Sequence, residues 1–203
     1  HNRGHCVFTF NYGRNPHVPP GLNGLGDIAE SAGETAEFVD RVLAATGASK
    51  VDLVGHSQGG IQSRYFIQHL GGADKVHRVV LLTSPQRIDG NEFGELLVRL
   101  LKLLPPAVYG NAENILQASA FVQMVNPYFW DHLLADNHGL PPQVDFVHIT
   151  SRADEFNVLT FGGGYAPPSV PNARRLYVQD KQPEDAWWLP SCLRDQSAHF
   201  GIP

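Results

Sequence analysis

Ser57 stands in the run Gly55-His56-Ser57-Gln58-Gly59-Gly60, between the apolar stretch Val51 to Val54 and a segment of helical spacing. A serine hydroxyl is a poor nucleophile unless a base lies within hydrogen-bond reach and the approach to it is uncrowded. A strand that turns sharply into a helix presents its central residue at a bare corner, and glycines two before and two after remove the side chains that would collide there. The helix starting at Gln58 then points its first N–H groups toward the place where an alkoxide would form, with the Gln58 amide as one oxyanion donor. A serine N-cap on a glycine-rich turn shares part of this pattern. The apolar run before it and the amphipathic helix after it favour the nucleophile.

A serine presented in this way needs an acid and then a histidine further along the chain. Of the ten histidines, His1, His5, His17, His56, His69, His77, His132, His138 and His148 all precede the end of the strand signals. Only His199, in the terminal SAHFGIP, follows them, and it is the candidate base. Asp154 and Glu155 come just after VDFVHIT, at the carboxyl end of a strand, where open parallel sheets assemble their sites. Asp154 is the first choice for the acid and Glu155 the second. Asp180 follows the strand that must already carry the histidine loop, and Asp195 is too near His199 in sequence to orient it. The chemistry is acyl transfer: His199 takes the Ser57 proton, Ser57 attacks a carbonyl, and Asp154 fixes the imidazole tautomer. The pairs His1/His5 and His132/His138 lack a helix or strand that would converge them on a metal, so no zinc site is expected from them.

The elements that must hold these residues follow from periodicity. Cys6 to Asn11, Val51 to Val54 and Arg78 to Ser84 read as short buried strands. Asp27 and Glu30 form a capping box for a helix with apolar residues at Ile28, Ala32, Ala36, Val39 and Leu43, stopped by Gly47. A second helix runs from Ser57 to the Gly71-Gly72 break. Strand, helix, strand, helix, strand predicts an α/β fold with a mostly parallel sheet and helices on both faces. From 86 to 142 the rhythm changes to a helical cap insertion. Its apolar helix, 93–104, with Leu97 and Leu101, and a second helix from Ala112 to Asn126, with Phe121, would line an acyl pocket, act as a lid, or cover the sheet. Tyr128, Phe129 and Trp130 end the insertion before a polar loop. Strands resume at Val144 to Thr150 and Arg175 to Val178.

At 203 residues, 42% hydrophobic and 17% charged, the chain suits a single domain, 1–203. A net charge of −5 with scattered Lys and Arg gives no stripe for a phosphate backbone, so nucleic acid is not an expected partner. No apolar run approaches the roughly 18 residues of a membrane span. The N-terminus HNRGHCVF has neither a methionine nor the layout of a signal peptide, which reads as a processed or cropped chain. Cys6 and Cys192 could form one disulfide or remain thiols.

NYG at 11–13, TGASKVDLVGHSQGG at 46–60, QASAFVQMVNP at 117–127, HITSRADE at 148–155 and the final HFGIP together resemble the actinobacterial class 2 lipases of the α/β-hydrolase fold. The resemblance spans most of the chain, in order. It implies secreted enzymes that hydrolyse lipid or other carboxylic esters without metal or cofactor, in contact with a lipid interface. It places the nucleophile on Ser57, the acid on Asp154, the base on His199 and one oxyanion amide on Gln58. In those relatives an HG-type segment upstream of the strand matching Cys6 to Asn11 supplies the second oxyanion amide. Only five residues precede Cys6, so on this reading the chain is truncated at its N-terminus and the second donor lies outside it. An acyltransferase or thioesterase would share the triad. A non-catalytic binding protein of the same fold would typically have lost Ser57 or His199.

Overall fold

A computed structural model describes residues 6–16, 20–21, 23–85, 120–125, 127–134, 140–150 and 171–177. Helix α1 (Ile28–Thr46) begins as its sequence predicts. The Asp27 carboxylate accepts the Glu30 N–H at 2.9 Å, and Gly47 ends the helix at φ 70° with its own N–H on the Leu43 carbonyl. Strand β1 (Val51–His56) turns at Ser57 into α2 (Gln58–His69), and a single 3-10 turn (Gly72–Asp74) leads to β2 (Val76–Leu82). Helices α3 (Ala120–Val125) and α4 (Pro127–Leu134) lie between β2 and β3 (Asp145–Thr150), and β4 (Ala173–Tyr177) comes last.

The four strands form one all-parallel sheet in the order β1-β2-β3-β4. Its register, His56 beside Leu82, Leu82 beside Ile149 and Thr150 beside Tyr177, aligns the carboxyl ends of all four along one edge. One face is covered by α1 and α2. Val39 and Ala32 of α1, Phe66 and Ile67 of α2, and Val79, Leu81 and Phe146 of the sheet share one core. Each such buried aliphatic or aromatic side chain contributes about 1.5–3 kcal/mol. The exposed Lys75–Asp40 and His77–Asp52 pairs add at most about 1 kcal/mol each, so apolar burial holds this layer. The opposite face carries Val54, Val80, Leu82 and Val147. No described helix covers it, and Val54 is 68% exposed.

Two expectations are corrected. Cys6 to Asn11 is not a strand: no described segment pairs with it, and a strand exists only through its ladder. Val7 is 69% and Phe8 48% exposed, while Phe10 stacks on Phe38 of α1 at 4.3 Å. Cys6 is an exposed free thiol, and its possible partner Cys192 lies outside the described residues. Tyr128 to Trp130 does not lead into a loop but lies inside α4. Proline suits the first helical position there, and Trp130 and Leu133, one turn apart, are both fully buried.

Helices α3 and α4 are fastened to the helical layer rather than loosely laid over it. Trp130, Leu133, Met124 and Ala120 pack against Ile28 and Ile61, and the Trp130 indole donates to the Met124 carbonyl at 2.6 Å. The Gln123 side chain accepts the Ile28 N–H at 2.7 Å and donates to the Asp27 carboxylate, so α3 helps to cap α1.

At the far end of α2, His69 stacks on His132 of α4 at 4.5 Å and lies 4.8 Å from Tyr65. Burial, then His132, then Arg64, lower the pKa of His69 below its ordinary value of 6.5. Between that lowered value and 6.5 the unfolded chain binds more protons than the folded one, so stability rises with pH there. The contribution is complete above pH 6.5 and lost as pH falls through the folded-state value. Melting curves should therefore show a small destabilisation on acidification below pH 6.5 that His69→Gln reduces. Identical pH profiles for the two proteins would contradict this.

Candidate active site

The turn from β1 into α2 is closed by its glycines. A Cβ on Gly55 would sit 2.5 Å from the Gly59 carbonyl carbon and 2.6 Å from the Gly60 nitrogen, so any side chain there would force strand and helix apart. A Cβ on Gly60 would meet Leu81 at 3.0 Å and collide with Ser84. With both positions bare, β1 and α2 approach closely enough to pinch Ser57 into φ 51°, ψ −123°. Left-handed backbone of this kind costs a non-glycine residue about 1–3 kcal/mol and persists only where its surroundings impose it. Here the Ser57 N–H donates to the Leu82 carbonyl at 3.0 Å and its carbonyl accepts the Gly60 N–H at 3.1 Å.

Its side chain makes no capping hydrogen bond to α2, which removes the N-cap reading. Ser57 is half-buried at the carboxyl edge of the sheet, and Gln58 and Gly59 are the first two residues of the helix. Amides at these positions have no partner within a helix and carry its positive dipole end. The positions and backbone of Ser57 and Gln58 are those expected from the sequence.

Asp154, Glu155, His199, Leu97 and Leu101 lie outside the described residues, as do Asp180, Asp195 and Cys192. Phe121 falls in α3. The segment that leads to Asp154 nevertheless starts at a described point: β3 ends at Thr150, on the edge that carries Ser57, with one strand between them. Among the described residues, no three His, Cys, Asp or Glu side chains gather as a metal site would require, and no helix is long and apolar enough to cross a membrane.

Two residues escaped sequence reasoning. Thr83, directly after β2 on the same edge, has φ 41° and is buried. A β-branched residue is among the least suited to that backbone, and nothing in LLTSPQ signals it. Tyr12 belongs to the NYG block, yet its spacing from Ser57 in sequence gives no hint of their proximity. Its hydroxyl lies 3.4 Å from where a Cβ of Gly59 would stand.

Comparison with known proteins agrees with this architecture. The chain is 40% identical over 85 residues to a triacylglycerol lipase of Pseudarthrobacter phenanthrenivorans, a stretch that is 42% of this chain and 24% of that protein. It is also 40% identical over 85 residues to a triacylglycerol lipase of Burkholderia plantarii, covering 21% of it. The matched stretch thus spans less than a quarter of the length of these curated relatives. The mature form of a Bacillus licheniformis lipase superposes with a TM-score of 0.54 over 76% of this chain and 66% of that one, at 18% identity, which is a likeness of fold. A parallel sheet with a serine pinched between strand and helix is what the alpha/beta hydrolase fold requires, and the model of that family matches residues 2–198: the chain belongs to the α/β-hydrolase fold family.

Proposed function

We propose that this chain carries the nucleophile, acid and base of a secreted carboxylic ester hydrolase of the actinobacterial class 2 lipase type, acting on lipid esters. One observation carries the reading: Ser57 is held at φ 51° at the end of a buried parallel strand, on the first turn of a helix and outside its capping network. Backbone strain of this kind costs stability and clusters at sites where a residue is placed for chemistry. The two curated relatives, both triacylglycerol lipases, support a fatty-acyl ester as the substrate.

In this mechanism His199 removes the Ser57 proton as the hydroxyl oxygen attacks the ester carbonyl. The Gln58 N–H stabilises the oxyanion, and His199 then protonates the departing alcohol. Water, activated by the same imidazole, releases the acid and restores Ser57. Asp154 keeps the imidazole in the required tautomer and stabilises its charged form. The insertion 86–142, with Leu97, Leu101 and Phe121, lines the acyl site and meets the lipid surface.

The test is labelling of the chain with a fluorophosphonate, followed by peptide mapping. A single adduct on the peptide containing Ser57 is expected, because phosphonylation needs the same activated serine. An adduct on another serine, or none, would refute the assignment.

A further inference from the structure

The loop before α1 is built to hold one phenol. The Tyr12 carbonyl accepts the Gly24 N–H at 2.8 Å, and the next residue, Gly13, turns at φ 65° and accepts both the Leu25 and Gly26 N–H groups at 2.9 Å. The Gly13 N–H is itself held by the Glu34 carboxylate of α1 at 3.0 Å. The ring of Tyr12 rests beside Phe10, 5.9 Å between centroids, and within 3.9 Å of the place a Gly24 Cβ would occupy. The Gln58 side chain reaches the other side of that glycine, with Oε1 at 3.4 Å from the same place. Four hydrogen bonds and the contact with Phe10 thus hold the backbone and ring of Tyr12.

The hydroxyl end is different. It lies over Gly59, two residues after Ser57, 3.4 Å from where a Cβ of that glycine would stand. It makes no hydrogen bond to another described residue, and it is not one of the buried side-chain atoms left without a partner. Burial also raises its pKa above 10, which keeps the proton on the oxygen throughout the neutral range.

We propose that the Tyr12 hydroxyl is a catalytic hydrogen-bond donor to the ester carbonyl oxygen at Ser57, acting beside the Gln58 amide as oxyanion charge develops. The inference rests on the proposed ester-hydrolase reading of Ser57. Tyr12 keeps its proton throughout: it donates a hydrogen bond that strengthens when the carbonyl becomes an oxyanion. Its contribution therefore appears in the chemical step rather than in ground-state binding.

The experiment compares the full chain with Tyr12→Phe, which keeps the ring packing, and with Tyr12 replaced by a fluorinated tyrosine of lower phenol pKa. Turnover of p-nitrophenyl butyrate and the rate of Ser57 phosphonylation are both read. Tyr12→Phe should lower kcat and the phosphonylation rate by about 10²–10³-fold, the usual loss for one oxyanion donor, with KM within about twofold and the melting temperature unchanged. The fluorinated protein should lose activity at lower pH than the wild type on the alkaline side, because the donor ionises sooner. A packing role would not move that limb. Normal phosphonylation of Ser57 in Tyr12→Phe, or an unshifted alkaline limb, overturns the role of Tyr12 and leaves Ser57 intact as the nucleophile. A wild-type chain that is not phosphonylated at Ser57 overturns both.

Discussion

Ser57→Ala is expected to lower ester turnover by on the order of 10⁴–10⁶-fold while the chain keeps its fold, because removal of a triad member leaves only binding and oxyanion stabilisation. The structural side of this expectation follows from the turn itself. Ser57 makes no side-chain capping bond to α2, so the helix loses none of the roughly 1 kcal/mol that a working N-cap supplies. Alanine has the same Cβ as serine, so the strain at φ 51° is unchanged. The backbone bonds to Leu82 and Gly60 are untouched by the substitution. The measurement is p-nitrophenyl ester turnover together with a thermal melt. A protein that keeps more than a tenth of its activity, or one that loses activity by unfolding, would show that Ser57 serves the turn and not the chemistry.

What could be read from the sequence divides according to how local the cause is. Asp27, Gly47 and the Gly55–Gly60 turn act within a few residues of themselves, through caps, left-handed backbone and the loss of a Cβ, and each appears where spacing put it. Strands β2, β3 and β4 lie within two or three residues of their expected bounds, since buried parallel strands show as short apolar runs. Cys6 to Asn11 failed because its apolar composition records what it could pair with and not whether a partner stands beside it. Without a ladder, Phe10 stacks on Phe38 instead. Helix α4 failed because aromatic residues at 128–130 look alike at the end of a helix and inside one. Only the burial of Trp130 against Ile28 and Ile61, far away in sequence, distinguishes the two. Tyr12 is the strongest case: its place above Gly59 depends on a loop folded back between residues 12 and 26, which no periodicity encodes.

The identity of the acid is decided by a second substitution of large effect. Parallel pairing of β1, β2 and β3 brings the carboxyl ends of these strands to one edge, and Thr150 closes β3 four residues before Asp154. A loop leaving that edge starts on the same side of the sheet as Ser57, one strand removed. The acid's task is to accept the imidazole N–H that faces away from the serine, which holds the other nitrogen unprotonated and ready to take the Ser57 proton. Asp154→Asn replaces that acceptor with an amide able to stabilise the wrong tautomer. The rate of acylation should fall by about 10⁴-fold, with little change in substrate binding. Glu155→Gln, at the adjacent residue, should leave the rate within about threefold of wild type, as substitutions away from a catalytic group usually do. Burst kinetics with an aryl ester, which separate acylation from deacylation, measure both. A large loss in Glu155→Gln beside a near-normal Asp154→Asn would transfer the role to Glu155, and parity between the two variants would mean that His199 takes its orientation from neither carboxylate.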